Sequence, residues 1–157
     1  MPDSLYETDV LAWSRHQADL LRRIARGKRV NDVDWAHVAE EIEGVGLSEL
    51  HSVESFLNLI MVQLLKLQAW PDDPASDHWH SEIVAFQNNA RRRFTPSMRQ
   101  RIDLDALYAD AVKQLRAGDR RNSVPRPWPD ANPFPLDQLL TNEPDDLTRH
   151  LPPAPPP

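Results

Sequence analysis

Residues 35–46 read WAHVAEEIEGVG and place His37, Glu40, Glu41 and Glu43 within seven positions. An imidazole and a carboxylate four residues apart share one side of a helix, so His37 and Glu41 could share a metal. Helical bundles build such sites from Glu-x-x-His pairs on facing helices. Here the order is reversed: HVAE and HSVE put the histidine first. His78 and His80 diverge by about 200° on a helix, too far to grip one ion. No metal ligand set is assigned. The basic triplet Arg91–Arg93, with Arg99 and Arg101 behind it, could touch phosphate, but it reads better as a solvated face plus one structural arginine. A net charge of −6 also disfavours nucleic acid, which needs a basic footprint. There is no Gly-rich phosphate loop, no cysteine, and no serine in a nucleophile-elbow context. Trp70, Trp79 and Trp128 could stack a ligand, yet aromatics at helical spacing are more often core.

These side chains need a frame, and the frame is helical. The 157 residues suit one domain and can bury a core without staples. Of fifteen prolines, five fall in 125–135 and five in 152–157; few interrupt the span 5–118. The absence of cysteine makes a reducing cytosol the expected compartment. MPDSLYETDV has neither a basic n-region nor an apolar h-region, so no signal peptide is expected, and no apolar run approaches the ~20 residues of a membrane helix. A first helix is predicted over 5–26, stopped at Gly27. A second region, 35–70, carries apolar or small residues at 35, 39, 42, 46, 50, 53, 57, 60, 64 and 67. The phase persists through Gly44 and Gly46, which favours one helix of ~54 Å with Gly46 on its buried stripe. Two helices joined near Gly44 are the alternative. Ser76 or Asp77 can cap a helix near 77–94, a short piece follows at 96–101, and Asp103 can cap another at 103–117. Residues 119–134 read as an extended, Pro-rich segment, PLDQLL as a final helical turn, and LPPAPPP as a tail unable to pack. The expected fold is all-α: an antiparallel helical bundle (1–118) with one long central helix, and a Pro-rich C-terminal arm (119–157) with a helical turn near 135–141, laid on the bundle or on a neighbour.

A helix advances about 100° per residue, which tests the carboxylates one by one. With Trp35 at zero, Glu40 and His37 fall in water, and Glu41 and Glu43 on the flanks. Glu49 and Gln63 land inside the apolar stripe, where unpaired polar groups cost roughly 1–3 kcal/mol. Arg93 lies within the stripe of the 77–94 helix and Arg91 just beyond its edge. A structural Glu–Arg pair that fixes helix register is the favoured reading. A small polar pocket lined by Glu41, Glu49, Gln63, Arg91 and Arg93 is the alternative, and an exposed Glu49 is the third outcome.

The stretches YETDVLAWSRHQADLLR, DWAHVAEEIEGVGLSEL, LLKLQAWP, WHSEIVAFQNNARRRF and FPLDQLL together resemble the bacterial domain-of-unknown-function family twenty-nine, over about residues 5–141. The resemblance implies a small, all-helical, cytosolic bacterial protein, and no activity. Its motif would carry Glu40, Glu41, Glu43, Gly46, Ser48 and Glu49 as matched positions. Many members have histidine just before LLK, where this chain has Gln63. Any ligand or base role of that histidine would be lost here, whereas a hydrogen-bonding role would survive.

The favoured function is a helical module acting through protein contacts, with a homodimer open and with Trp128 and Phe134 of the arm as interface candidates. The alternative is a bundle whose Glu/Arg pocket binds a metal or small ligand, perhaps as an enzyme. No catalytic residue and no cofactor are assigned.

Overall fold

The computed structural model describes residues 4–118 and 128–153. The described residues contain seven α-helices and no strand: α1 Leu5–Thr8, α2 Val10–Ala25, α3 Trp35–Ala69, α4 Ser76–Arg93, α5 Leu104–Gly118, α6 Leu136–Thr141 and α7 Pro144–Thr148, with a 3-10 turn over Pro96–Gln100. The chain divides into two compact units, Met1–Leu47 and Ser48–Pro157, and α3 runs unbroken through the division. Its 35 residues make it the long helix that the uninterrupted three-and-four spacing predicts.

In the first unit, the expected single helix 5–26 is two. Asp9 leaves helical geometry with φ −152°, ends α1 and starts α2, its side chain accepting from the Ala12 N–H at 2.9 Å. An Asp in this position satisfies an otherwise orphan amide, so a break there costs little. Gly27 ends α2 with φ +78°, and the Lys28 N–H closes back on the Arg23 carbonyl at 3.1 Å. Glycine alone adopts that conformation without strain. Asp34 then opens α3: its carbonyl accepts from Val38 N–H at 2.9 Å.

In the second unit, α3 is the axis. Val53, Leu57, Ile60, Met61, Leu64 and Leu65 are fully buried, spanning a sector of about 140° around the helix. Trp79, Ile83 and Ala90 of α4 and Tyr108 and Ala111 of α5 complete the main core. Ser76 begins α4 rather than capping it; Ala75 occupies the cap and offers no side-chain bond. Asp103 does cap α5, accepting from Ala106 N–H at 3.0 Å.

The C-terminal residues join this same core. Trp128, Phe134, Leu136, Leu139, Leu140, Leu147 and Leu151 are buried in it. The Tyr108 hydroxyl donates to the Pro129 carbonyl at 2.7 Å. From α4, buried Gln87 donates to the carbonyls of Leu139 (2.9 Å) and Asn142 (2.8 Å), the orphan acceptors at the end of α6. Helix α7, absent from the sequence reading, starts with Pro144 at its first turn followed by Asp145 and Asp146. Of the expected extended segment 119–134, residues 119–127 lie outside the described residues, as do 154–157 of the tail; the start of that tail, expected unable to pack, does pack, with Leu151 buried and the Pro152 carbonyl accepting from Gln68 at 2.7 Å.

Candidate functional site

The first turns of α3 carry two different sides. One is fastened by α1 and α2. Trp13 N–H donates to Asp34 Oδ2 at 3.2 Å, and buried Gln17 accepts from the Asp34 backbone N–H at 2.9 Å. His37 Nδ1 lies 2.7 Å from the same Asp34 Oδ2. The Tyr6 ring stacks on the His37 imidazole at 3.9 Å and meets the Trp13 ring edge-on at 4.8 Å. Tyr6 also donates its hydroxyl to Glu41 Oε1 at 2.6 Å. That hydrogen bond, helped by partial desolvation and the charges of Glu41, Glu40 and Asp34, pushes the Tyr6 phenol up to about 12. Asp34 is held below the usual carboxylate range: the His37 hydrogen bond leads, and the Trp13 and backbone donors help outweigh burial.

An Asp–His pair can orient an acid–base histidine. Here the ring is stacked under Tyr6, whose hydroxyl donates to Glu41, so the cluster ties α1 to α3 as a clasp. His37, expected in water, is drawn into it because α1 breaks from α2 at Asp9 and brings Tyr6 across the α3 surface.

The residues of the expected polar pocket have separate partners. Glu49 pairs with Arg93 at 2.9 Å, in the second unit. Glu49 is not sunk in the apolar stripe; its side chain is 43% exposed and that of Arg93 44%. Val38 is buried, but no residue from 39 to 49 is, and cover resumes at Leu50. An exposed pair of this kind contributes about 0.2–1 kcal/mol, enough to favour a register but not to define a ligand site. Glu41 is the acceptor of Tyr6. Buried Gln63 donates to Glu82, whose other oxygen lies 3.2 Å from His78 Nε2. Arg91 donates to the Leu140 carbonyl at the end of α6 and to Asn88. Trp128 and Phe134, the interface candidates, lie inside the core of their own chain, Phe134 edge-on to Tyr108 at 6.3 Å. Among the described residues no group of three or more His, Asp or Glu is arranged to hold a metal. No helix among them is long and apolar enough to cross a membrane.

The other side of α3 is bare. Trp35 is 61% exposed, Ile42 67% and Val45 69%. Ala39 and Gly46 are exposed between them, and a Cβ added at Gly46 or Gly44 would meet nothing within 4 Å. Gly46 is thus not on a buried stripe, as its phase suggested. The phase is right, but among the described residues nothing covers it: Trp35, Ala39, Ile42 and Gly46 share the sector that Val53, Leu57, Ile60 and Leu64 bury further along. The α1–α2 clasp reaches α3 through Asp34, His37 and Glu41, a different sector by about 100° or more. Sequence periodicity located this stripe, but it carried no signal that the first three turns would lack a lid.

Fold and surface together define an all-α protein built on one long helix whose N-terminal third exposes an apolar stripe. The chain belongs to the family described as Domain of unknown function DUF29, whose model matches residues 5–143. It is similar to the crystal structure of an alpha-helical protein of unknown function from Rhodospirillum rubrum, with 32% identity and a TM-score of 0.70, over 93% of this chain and 96% of that one. No match was found among curated proteins.

Proposed function

We propose that this chain is a helical contact module, which works by binding protein through the bare stripe of α3 rather than by catalysis. The observation that supports this reading is the alignment of Trp35 and Ile42, each more than half exposed, with exposed Ala39 and Gly46 in the same sector of one helix. Single exposed apolar residues need no explanation, but a row of them on a rigid element marks a contact surface. The clasp of Tyr6, Trp13, Asp34 and His37 then has a purpose: it fixes the helix that presents the row.

A photo-crosslinking amino acid placed at Ala39, with Arg92 as the control position, tests the reading in cells of the native host. Discrete protein adducts are expected from position 39 and not from 92, and Ile42→Asp in the same chain should abolish them. Absence of any adduct from position 39 refutes the contact role.

A further inference from the structure

The stripe has a property that selects its partner. Its four positions, 35, 39, 42 and 46, are spaced four, three and four, a spacing that reads the same in both directions. Their sizes alternate: Trp35 large, Ala39 small, Ile42 large, Gly46 absent. All four fall within a sector of about 60°. Turned end for end, the stripe sets Trp35 against Gly46, Ala39 against Ile42, Ile42 against Ala39 and Gly46 against Trp35. Every bulky residue meets a small one. This is the isologous complementarity of a two-fold interface, in which residue i meets j and j meets i.

We infer that the occupant of the stripe is a second copy of this chain, paired antiparallel in that register. The inference rests on the contact reading above and specifies its partner. The open space at Gly46 is where the Trp35 indole of the other copy seats. Large-into-small packing of this kind lets helices approach to about 8–10 Å.

Area sets the strength: Trp35, Ala39 and Ile42 offer on the order of 300 Å² of apolar surface, less than half the ~800 Å² per partner of a standard interface. The dimer is therefore weak and concentration-dependent.

Sedimentation equilibrium of the full chain from micromolar to millimolar concentration, with a size-swap cycle, tests this. Wild type is expected to shift from monomer to dimer across the range. Gly46→Trp sets indole against indole and should weaken the dimer at least tenfold. Trp35→Ala leaves a hole and should also weaken it. The double variant Trp35→Ala/Gly46→Trp restores large against small only in the antiparallel register and should recover dimerisation to near the wild-type level. Since Gly46 has open space around it, Gly46→Trp should leave helicity and melting temperature of the monomer unchanged or raised, so that lost dimer is not lost fold. A wild type that stays monomeric to millimolar concentration overturns self-pairing and leaves the contact role to the crosslinking test, where an adduct to a different protein is the corresponding outcome. A dimer indifferent to Gly46→Trp, or one not recovered in the double variant, overturns the antiparallel register.

Discussion

Replacing Gln87 by leucine should loosen the C-terminal helices from the rest of the second unit more than any single surface change. Gln87 is 4% exposed and its amide serves two carbonyls, Leu139 at 2.9 Å and Asn142 at 2.8 Å. Leucine keeps most of the volume and removes both bonds. The Leu139 carbonyl is buried, and a buried acceptor left unmet costs about 1–3 kcal/mol; the partly buried Asn142 carbonyl recovers some water and adds about 1. The expected loss is roughly 2–4 kcal/mol, and at about 2–4 °C per kcal/mol for a chain of this size the melting temperature should fall by about 4–16 °C. Gln87→Glu sharpens the reasoning, because a carboxylate would face two carbonyls. It should be worse than leucine at neutral pH and improve as acid neutralises it. Urea titration followed by circular dichroism gives the free energy. Hydrogen exchange should show the gain in rate concentrated in 136–151. A change below about 0.5 kcal/mol for Gln87→Leu would show that water substitutes freely at the end of α6, and would refute the idea that α4 holds the segment through this amide.

Other perturbations read other parts of the structure. Tyr6, raised by its Glu41 hydrogen bond, and Tyr108, raised by burial, should both titrate at about 12, so absorbance near 295 nm should show little tyrosinate as pH passes 10. Their folded values lie above the unfolded one, so the stability they contribute is complete below pH ~10 and is lost as pH climbs toward 12; Tyr6→Phe should remove part of that loss. His80 sits between α4 and α7, 2.9 Å from Asp145 and 2.9 Å from the Ser76 carbonyl. Burial opposes its charge, but the Asp145 bond, the Ser76 carbonyl and the charges of Asp145 and Asp77 outweigh it and raise its pKa. Its contribution is thus fully present below the usual histidine range and lost as pH rises through the raised value; melting curves from pH 5 to 9 should flatten in Asp145→Asn, and an unchanged slope would count against the link. Asp9→Ala removes the cap at the α1–α2 break and should cost about 1 kcal/mol, with faster exchange at Ala12; a neutral result would mean that the break is held by the clasp alone.

The long helix was legible because its signal was redundant. Ten positions in phase over 35 residues outvoted two glycines, each costing about 1 kcal/mol relative to alanine. The Glu49–Arg93 contact was legible in part: two helix counts placed both residues inside apolar stripes, which pointed to a pairing, but both side chains turn out to be more than 40% exposed. What failed has a common physical origin. Periodicity says which residues share a face, and nothing about what covers it, so the stripe at 35–46 and at 50–67 looked identical while only the second is buried. Phase continuity from Tyr6 to Trp13 hid the break at Asp9, though the Asp itself was the available cap signal. Gln63 with Glu82 and Arg91 with the end of α6 depend on elements far apart in sequence, and no local pattern encodes such a meeting. Helix α7 left a mark that went unread: Pro144 followed by two aspartates is a helix start.

The bare stripe is also the place where the needs of the single chain and of a contact surface diverge. For the isolated fold, glycine at 46 is a cost: the position is helical, exposed and surrounded by open space, so alanine would stabilise the helix by about 1 kcal/mol with nothing to displace. Trp35 and Ile42 likewise do nothing for the core of either unit, because both are more than half exposed. Neither residue type is explained by the first unit, whose stability comes from Trp13, Leu20, Val38 and the clasp. All three are explained at once by a helix that must receive another at close range. Gly46→Ala separates the two accounts. A structural role alone predicts higher stability and unchanged association. The antiparallel pair predicts higher monomer stability together with weaker dimerisation, because even a methyl group at 46 stands where the opposing indole must seat.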